Sequence, residues 1–102
     1  MQNETQIEDI IQHWRIRRLF QTVLVQALKD AYVMPVRKKR ALKVQREAVN
    51  FLNDKRDLST ICALAGVDFK EIWQMIHEDK SENKEKYDKI ITYILTNESI
   101  YY

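Results

Sequence analysis

Apolar residues recur at helical spacing through most of the chain, and short polar segments separate them. Between positions 7 and 31 they follow steps of three and four residues, which predicts a first helix over Thr5–Val33. Thr5 and Glu8 form a capping box at its start, and Pro35 follows its end. The apolar stripe shifts around Arg15, Arg17 and Arg18, so the helix either turns a second face to the core there or breaks.

A second helix is predicted before the centre of the chain, and a last helix is predicted near its end. One runs over Arg37–Leu52, and the polar segment after it places Asp57 as the cap of the third helix. The last helix follows a polar stretch at 78–86, which is a loop or a helix end, and it ends near Asn97. The tail Ile100–Tyr102 is expected to pack on the core, with a partner-binding motif as the alternative.

The segment 58–77 has the pattern of a helix-turn-helix. Cys62 supplies the small residue, Gly66 the turn and Ile72 the apolar residue that holds the second helix. Gly66 is the one glycine of the chain, and Asp68 with Glu71 forms a capping box after it. The other positions expected to be buried are Ile61, Ala65, Val67 and Ile76. A compact helical hairpin with no nucleic-acid role is the alternative.

Length and composition favour one all-α domain over residues 1–102, with five helices, a long N-terminal helix and a central helix-turn-helix. A chain of 102 residues with one glycine and one proline has too few turn residues for a sheet protein. A helix over residues 5–33 would be about 44 Å long, whereas the radius of gyration of a 100-residue globule is about 13 Å. Unless it kinks, the helix overhangs the domain, and we expect the overhang to pack on a second subunit in a homodimer.

Charge is distributed unevenly along the chain. Positions 13–46 hold ten Lys and Arg against one acid, a balance of +9, although the whole chain carries only +2. A block of this kind suggests an anionic partner, either double-stranded DNA or an acidic protein, although part of it is expected to be an ordinary solvated helix face.

Candidate DNA-binding residues lie on the second and fourth helices. Gln74 could pair with adenine, Lys70 could contact guanine or phosphate, and Phe69 could contact a thymine methyl. Acids on the same helix, such as Glu71, oppose this function, and Phe69 and Trp73 are equally expected in the core or a dimer contact. The full set is Arg37, Lys38, Lys39, Arg40, Lys43, Arg46, Phe69, Lys70, Trp73, Gln74 and His77.

Motifs for catalysis, metal binding or cofactor binding are absent from the sequence, so we expect a non-catalytic protein without a cofactor. His13 and His77 are far apart, and the single cysteine, Cys62, is expected to be a small buried residue. No apolar run is long enough to cross a membrane, and the polar N-terminus does not resemble a secretory signal, so a cytoplasmic location is expected.

Three segments in order, HWRIRRLFQTVLVQALKDA, QREAVNFLND and DLSTICALAGVDFKEI, resemble small helix-turn-helix-like proteins of alphaproteobacterial phages, prophages and gene-transfer elements. The resemblance covers roughly residues 14–76 and implies an origin in a mobile element without supplying an active site. Trp73 and Gln74 stand where an arginine often follows the turn in those proteins. The matching residues are Trp14, Val23, Leu24, Gln26, Ala27, Leu28, Asp30, Arg46, Glu47, Ala48, Phe51, Leu52, Cys62, Leu64, Ala65, Gly66 and Asp68.

The leading hypothesis is therefore a DNA-binding transcriptional regulator of phage-like origin. The first alternative is an adaptor whose basic face binds an acidic protein. The second is a DNA-packaging accessory protein, which would require a ring-sized oligomer.

Overall fold

The computed structural model describes residues 4–33 and 39–99 and shows five α-helices there, as predicted. They are α1 (Glu4–Tyr32), α2 (Lys39–Asn53), α3 (Lys55–Ala65), α4 (Phe69–His77) and α5 (Asn83–Ser99). Strands are absent from the described ranges. The expected positions of Pro35 and of the tail Ile100–Tyr102 lie outside the described residues, as does the predicted start of the second helix at Arg37.

α1 is the central element of the fold, because α2, α3 and α5 all pack against it. α4 packs against α3 and α5. The fully buried side chains come from every helix, so one apolar core joins them; the largest are Leu24, Leu28, Leu52, Leu58, Ile72, Ile90 and Ile94. The side-chain amide of Gln45 donates to the carbonyl oxygen of Ala31 at 3.3 Å, which joins the middle of α2 to the end of α1.

The long first helix is continuous through Arg15, Arg17 and Arg18, so it does not break there. Within residues 12–32 of α1, whose side chains the structure describes, the first buried position is Gln21, and residues 12–16 are all exposed. The radius of gyration is 15.6 Å and the longest dimension is 57 Å, against 27 and 22 Å across. α1 therefore extends beyond the core, as its predicted length implied.

The third helix begins three residues earlier than the sequence pattern predicts. Asp54, not Asp57, is its N-cap: the backbone of Asp54 is extended, and its carboxylate accepts a hydrogen bond from the backbone N–H of Asp57 at 3.0 Å. Asp57 lies in the first turn, where its charge interacts favourably with the helix dipole. The prediction of Asp57 as the cap was wrong because both aspartates suit a cap and only the backbone distinguishes them.

The connection between α4 and α5 is held by polar contacts. The Asp79 carboxylate accepts hydrogen bonds from the backbone N–H and hydroxyl of Ser81, and the Lys89 ammonium donates to Asp79 at 3.3 Å. Lys86 reaches back from α5 and donates to the carbonyl oxygen of Ile76 at 2.8 Å. α5 begins at Asn83 and ends at Ser99, two residues beyond the predicted end.

Candidate nucleic-acid interface

The turn between α3 and α4 has the backbone that the single glycine predicts. Gly66 is in the left-handed region, with φ of 74° and ψ of 28°. Its N–H donates to the carbonyl oxygen of Ala63, and the N–H of Val67 donates to that of Cys62 at 3.0 Å. These bonds satisfy carbonyl groups that the end of α3 would otherwise leave unpaired. The chain thus reverses within three residues and places α4 against α3.

Asp68 caps α4, as predicted, but the reciprocal half of the capping box is not formed. The Asp68 carboxylate accepts a hydrogen bond from the backbone N–H of Lys70 at 2.9 Å. The Glu71 side chain is exposed and makes no hydrogen bond back to Asp68 among the described residues. The predicted interaction from Glu71 is therefore wrong, and the charge of Glu71 acts only through its position in the first turn.

The inner faces of the two helices pack as the pattern predicts. Cys62, Ala65, Val67, Ile72 and Ile76 are buried, and Ile61 is half-buried. Burial, together with the nearby Asp68 carboxylate, raises the pKa of the Cys62 thiol to about 12. At neutral pH the thiol is therefore protonated and serves as a small apolar residue rather than a nucleophile.

α1 contacts the turn between α3 and α4. Gln21 is buried, and its side-chain amide donates to the carbonyl oxygen of Ala65 at 3.1 Å. The guanidinium end of Arg17 lies so close to Gly66 that a Cβ on Gly66 would be 2.5 Å from Arg17 Nε. Arg18 lies elsewhere on α1, with its guanidinium carbon 5.3 Å from the centre of the Trp14 ring. Arg17 and Arg18 therefore have different neighbours, and Arg17 belongs to the turn.

The exposed edge of α4 carries Lys70, Gln74 and His77, which follow each other at steps of four and three residues. This spacing places them on one side of the helix. Glu71 lies about 100° around the helix from Lys70, on the flank that continues to the half-buried Met75. Glu71 is therefore offset from Lys70, whereas the acids Asp68 and Glu78 are the caps at the two ends of the helix. We call Lys70, Gln74 and His77 the α4 edge.

Phe69 and Trp73 lie partly in the core. Both are half-buried and pack on the core, with their ring centroids 5.7 Å apart. The Trp73 ring continues to His77 at 3.9 Å, and the Lys55 ammonium lies 5.2 Å from the centre of the Trp73 ring. The two aromatic side chains thus pack between the core and the α4 edge. This arrangement agrees with the alternative that Phe69 and Trp73 are core residues.

The basic residues of α2 divide between two sides of that helix. Lys39, Lys43 and Arg46 recur at steps of four and three residues and are all exposed, on the side opposite the buried Ala48. We call these three residues the α2 basic stripe. Arg40 is also exposed, but it lies on the flank of Glu47. Arg37 and Lys38, two further predicted contacts, lie outside the described residues.

The end of α4 approaches the junction of α2 and α3. His77 Nε2 lies 3.4 Å from the carbonyl oxygen of Leu52, near the end of α2. Lys55 and Arg56 follow at the start of α3, and both are exposed. The sequence pattern placed these two residues in the turn before the third helix, so they were not predicted as contacts. Asp54 is the signal that could have identified them, because a cap at Asp54 places Lys55 and Arg56 in the first turn of α3.

Other classes of site find no support in the described ranges. No group of three or more His, Cys, Asp or Glu side chains that could hold a metal ion occurs among the described residues. None of the described helices is long and apolar enough to span a membrane.

Comparisons with known proteins assign the chain to no family: no protein-family model, curated protein or solved structure matches it.

Proposed function

We propose that this protein is a non-catalytic DNA-binding protein that regulates transcription, with α4 as the helix that enters the major groove. The observation that carries the proposal is the composition of the α4 edge: Lys70, Gln74 and His77 are exposed together, with no acid among them. These side chains can donate hydrogen bonds to base edges and phosphates, and Gln74 can pair with adenine in the major groove.

The α2 basic stripe supplies the affinity for the DNA backbone in this proposal. Lys39 and Arg46 are seven residues apart, or about 10 Å along the helix, with Lys43 between them, so the three can follow consecutive phosphates of one strand. Lys55 and Arg56 add positive charge close to α4. With five basic residues for the backbone and few groups for the bases, binding should be strongly salt-dependent and only modestly sequence-selective.

The origin in a phage-like element, suggested by the sequence resemblance, is part of this proposal and is not needed for its test.

The α2 basic stripe can be tested by charge reversal, with a control variant that has the same net charge as the test variant. The variant Lys39→Glu/Lys43→Glu/Arg46→Glu is compared with Lys29→Glu/Lys80→Glu/Lys84→Glu, which reverses three exposed lysines elsewhere. Fluorescence anisotropy with a labelled duplex measures the dissociation constant between about 50 and 200 mM KCl. We expect the stripe variant to bind about 10- to 100-fold more weakly and to lower the salt slope by about three, whereas the control variant should lose far less.

Absence of binding to any duplex at low salt would end the proposal, and an equal loss in both variants would show that only bulk charge matters. The α4 edge has its own test: selection from a random-duplex pool should yield a preferred sequence. Gln74→Ala should weaken binding to that sequence by about 1–3 kcal/mol and leave binding to unrelated duplexes unchanged.

An adaptor that binds an acidic protein is the second candidate, and one observation favours it. Leu42 and Val49 are exposed on α2 along the flank of the basic stripe. A DNA backbone offers no apolar surface to these side chains, whereas an acidic amphipathic helix does. Recovery of one stoichiometric protein partner from nuclease-treated extract, together with no duplex binding, would favour this candidate.

A further inference from the structure

The side of α1 that faces away from the core carries an apolar stripe. Ile16, Leu19 and Val23 are 44%, 59% and 40% exposed, and they follow each other at steps of three and four residues. This is the spacing of the contact positions in paired helices. Gln12 precedes and Gln26 follows in the same stripe. We call these five residues the α1 stripe.

The α1 stripe has nearly the same composition in both directions. Leu19 is at its centre, with a β-branched residue on each side and a glutamine beyond each of these. If a second copy of α1 packs antiparallel about a two-fold axis, Leu19 meets Leu19 and Ile16 meets Val23. Gln12 then meets Gln26. A two-fold interface requires such self-complementarity, because the same surface supplies both sides.

We propose that a second copy of this chain binds the α1 stripe through its own α1 stripe, in antiparallel orientation. This inference does not depend on DNA binding. It also specifies what the expectation of a homodimer left open, namely which surface is used and in which direction the helices run.

A groove beside the α1 stripe fits the incoming helix. It lies between α1 and α2, has a volume of about 510 Å³, and has Val23, Ala27, Val44 and Ala48 among its lining residues. In the antiparallel arrangement the second copy's Ile16 lies beside Val23, so the preceding residues of that helix continue along this groove. The part of α1 that extends beyond the core of one copy is then covered by the other copy.

The contact is short, because each copy contributes the five residues of the α1 stripe. The contact involves fewer residues than the 20–30 a side of a standard interface, so we expect a dissociation constant on the order of micromolar.

The oligomeric state tests the inference. Light scattering on a sizing column should give twice the 12.3 kDa chain mass at about 100 μM protein. Leu19→Glu should give a monomer with unchanged helical circular dichroism. The matched control is Leu95→Glu on α5, where the leucine is 57% exposed, and this variant should remain dimeric.

A wild-type monomer at this concentration would overturn the inference, as would a Leu19→Glu variant that still pairs. A larger, ring-sized oligomer would also overturn it and would favour a packaging role. Loss of duplex binding without loss of the dimer would overturn only the proposed function.

Disulfide cross-linking tests the direction of the helices. A mixture of the Ile16→Cys and Val23→Cys proteins should form a cross-linked dimer after brief oxidation, and each protein alone should not, because identical positions are then about 10 Å apart along the helix. Wild-type protein is the control for Cys62, which is fully buried. Cross-linking of the single variants alone would indicate a parallel pair and overturn the proposed arrangement.

Discussion

Gly66 combines two constraints at one residue, a left-handed backbone and a close neighbour. Its φ of 74° is a conformation that residues with a Cβ adopt at a cost of about 1–2 kcal/mol. The Arg17 side chain occupies the space that a Cβ would need. The backbone and the Arg17 side chain therefore both disfavour a larger residue, for independent reasons.

Gly66→Ala should lower the free energy of unfolding by about 1–2 kcal/mol or somewhat more, because it adds backbone strain and displaces Arg17. Urea denaturation followed by circular dichroism measures the loss. In an Arg17→Ala background the same substitution should cost less, since only the strain remains. Gly66→Asn should be the milder change, because asparagine tolerates this conformation. An unchanged urea midpoint in Gly66→Ala would contradict this account of the turn.

Sequence alone predicted the residues of the turn correctly because each of them is chemically distinctive. The lone glycine, the cap at Asp68 and the buried Cys62 and Ile72 all lie where the pattern placed them. The cap at Asp54 and the support from Gln21 were missed. A choice between two aspartates three residues apart, or a hydrogen bond across 44 positions of sequence, depends on the packed backbone and leaves no local signal.

At the scale of the helix, α4 shows why a charge count can mislead. Summed over the helix and its flanks, the acids oppose DNA binding. Around the helix, Glu71 is about 100° from Lys70, and Asp68 and Glu78 cap the two ends. The angular position of each side chain follows from the helical repeat once the helix bounds are known. Which flank is covered by neighbouring helices does not follow, because it requires the tertiary structure.

The loop between α4 and α5 should respond to acid through Asp79. Hydrogen bonds from Ser81 and the nearby Lys89 hold the pKa of Asp79 at about 2, below its ordinary value. Because the folded state favours the charged form, this contribution to stability is complete above the ordinary pKa near 4 and is lost as the pH falls toward 2.

Asp79→Asn should therefore lower the urea midpoint at pH 7, and the difference from wild type should shrink at pH 2.5. Unfolding curves at both pH values measure this change. Asp88→Asn is a matched control on the exposed face of α5, and it should show a smaller difference at pH 7. An equal difference between Asp79→Asn and wild type at both pH values would contradict the assignment.

At the scale of the whole molecule, the length of α1 exceeds what one core can cover. The sequence predicted this mismatch from helix length against domain size, and the 57 Å long axis agrees with it. Whether the helix breaks at its arginines could not be predicted, because the shift in its apolar stripe fits both outcomes. The continuous helix instead turns Ile16, Leu19 and Val23 outward.

Thermal stability should depend on protein concentration if the α1 stripe pairs two copies. Association with the folded state alone stabilises it by mass action, so a hundredfold increase in concentration should raise the Tm by about several degrees. Leu19→Glu should abolish this dependence, and Leu95→Glu should retain it. Differential scanning fluorimetry over a dilution series measures both, and a wild-type Tm that stays constant would contradict the pairing.

The contacts of Gln21 and Arg17 with the turn have a consequence for any target with two binding sites. They join the turn directly to the helix whose opposite side carries the α1 stripe, without a linker between them. In a two-fold pair the separation of the two α4 helices would therefore be fixed by rigid bodies. Such a pair would select inverted repeats by the number of base pairs between their half-sites, and inserting half a helical turn of DNA between them would abolish simultaneous binding.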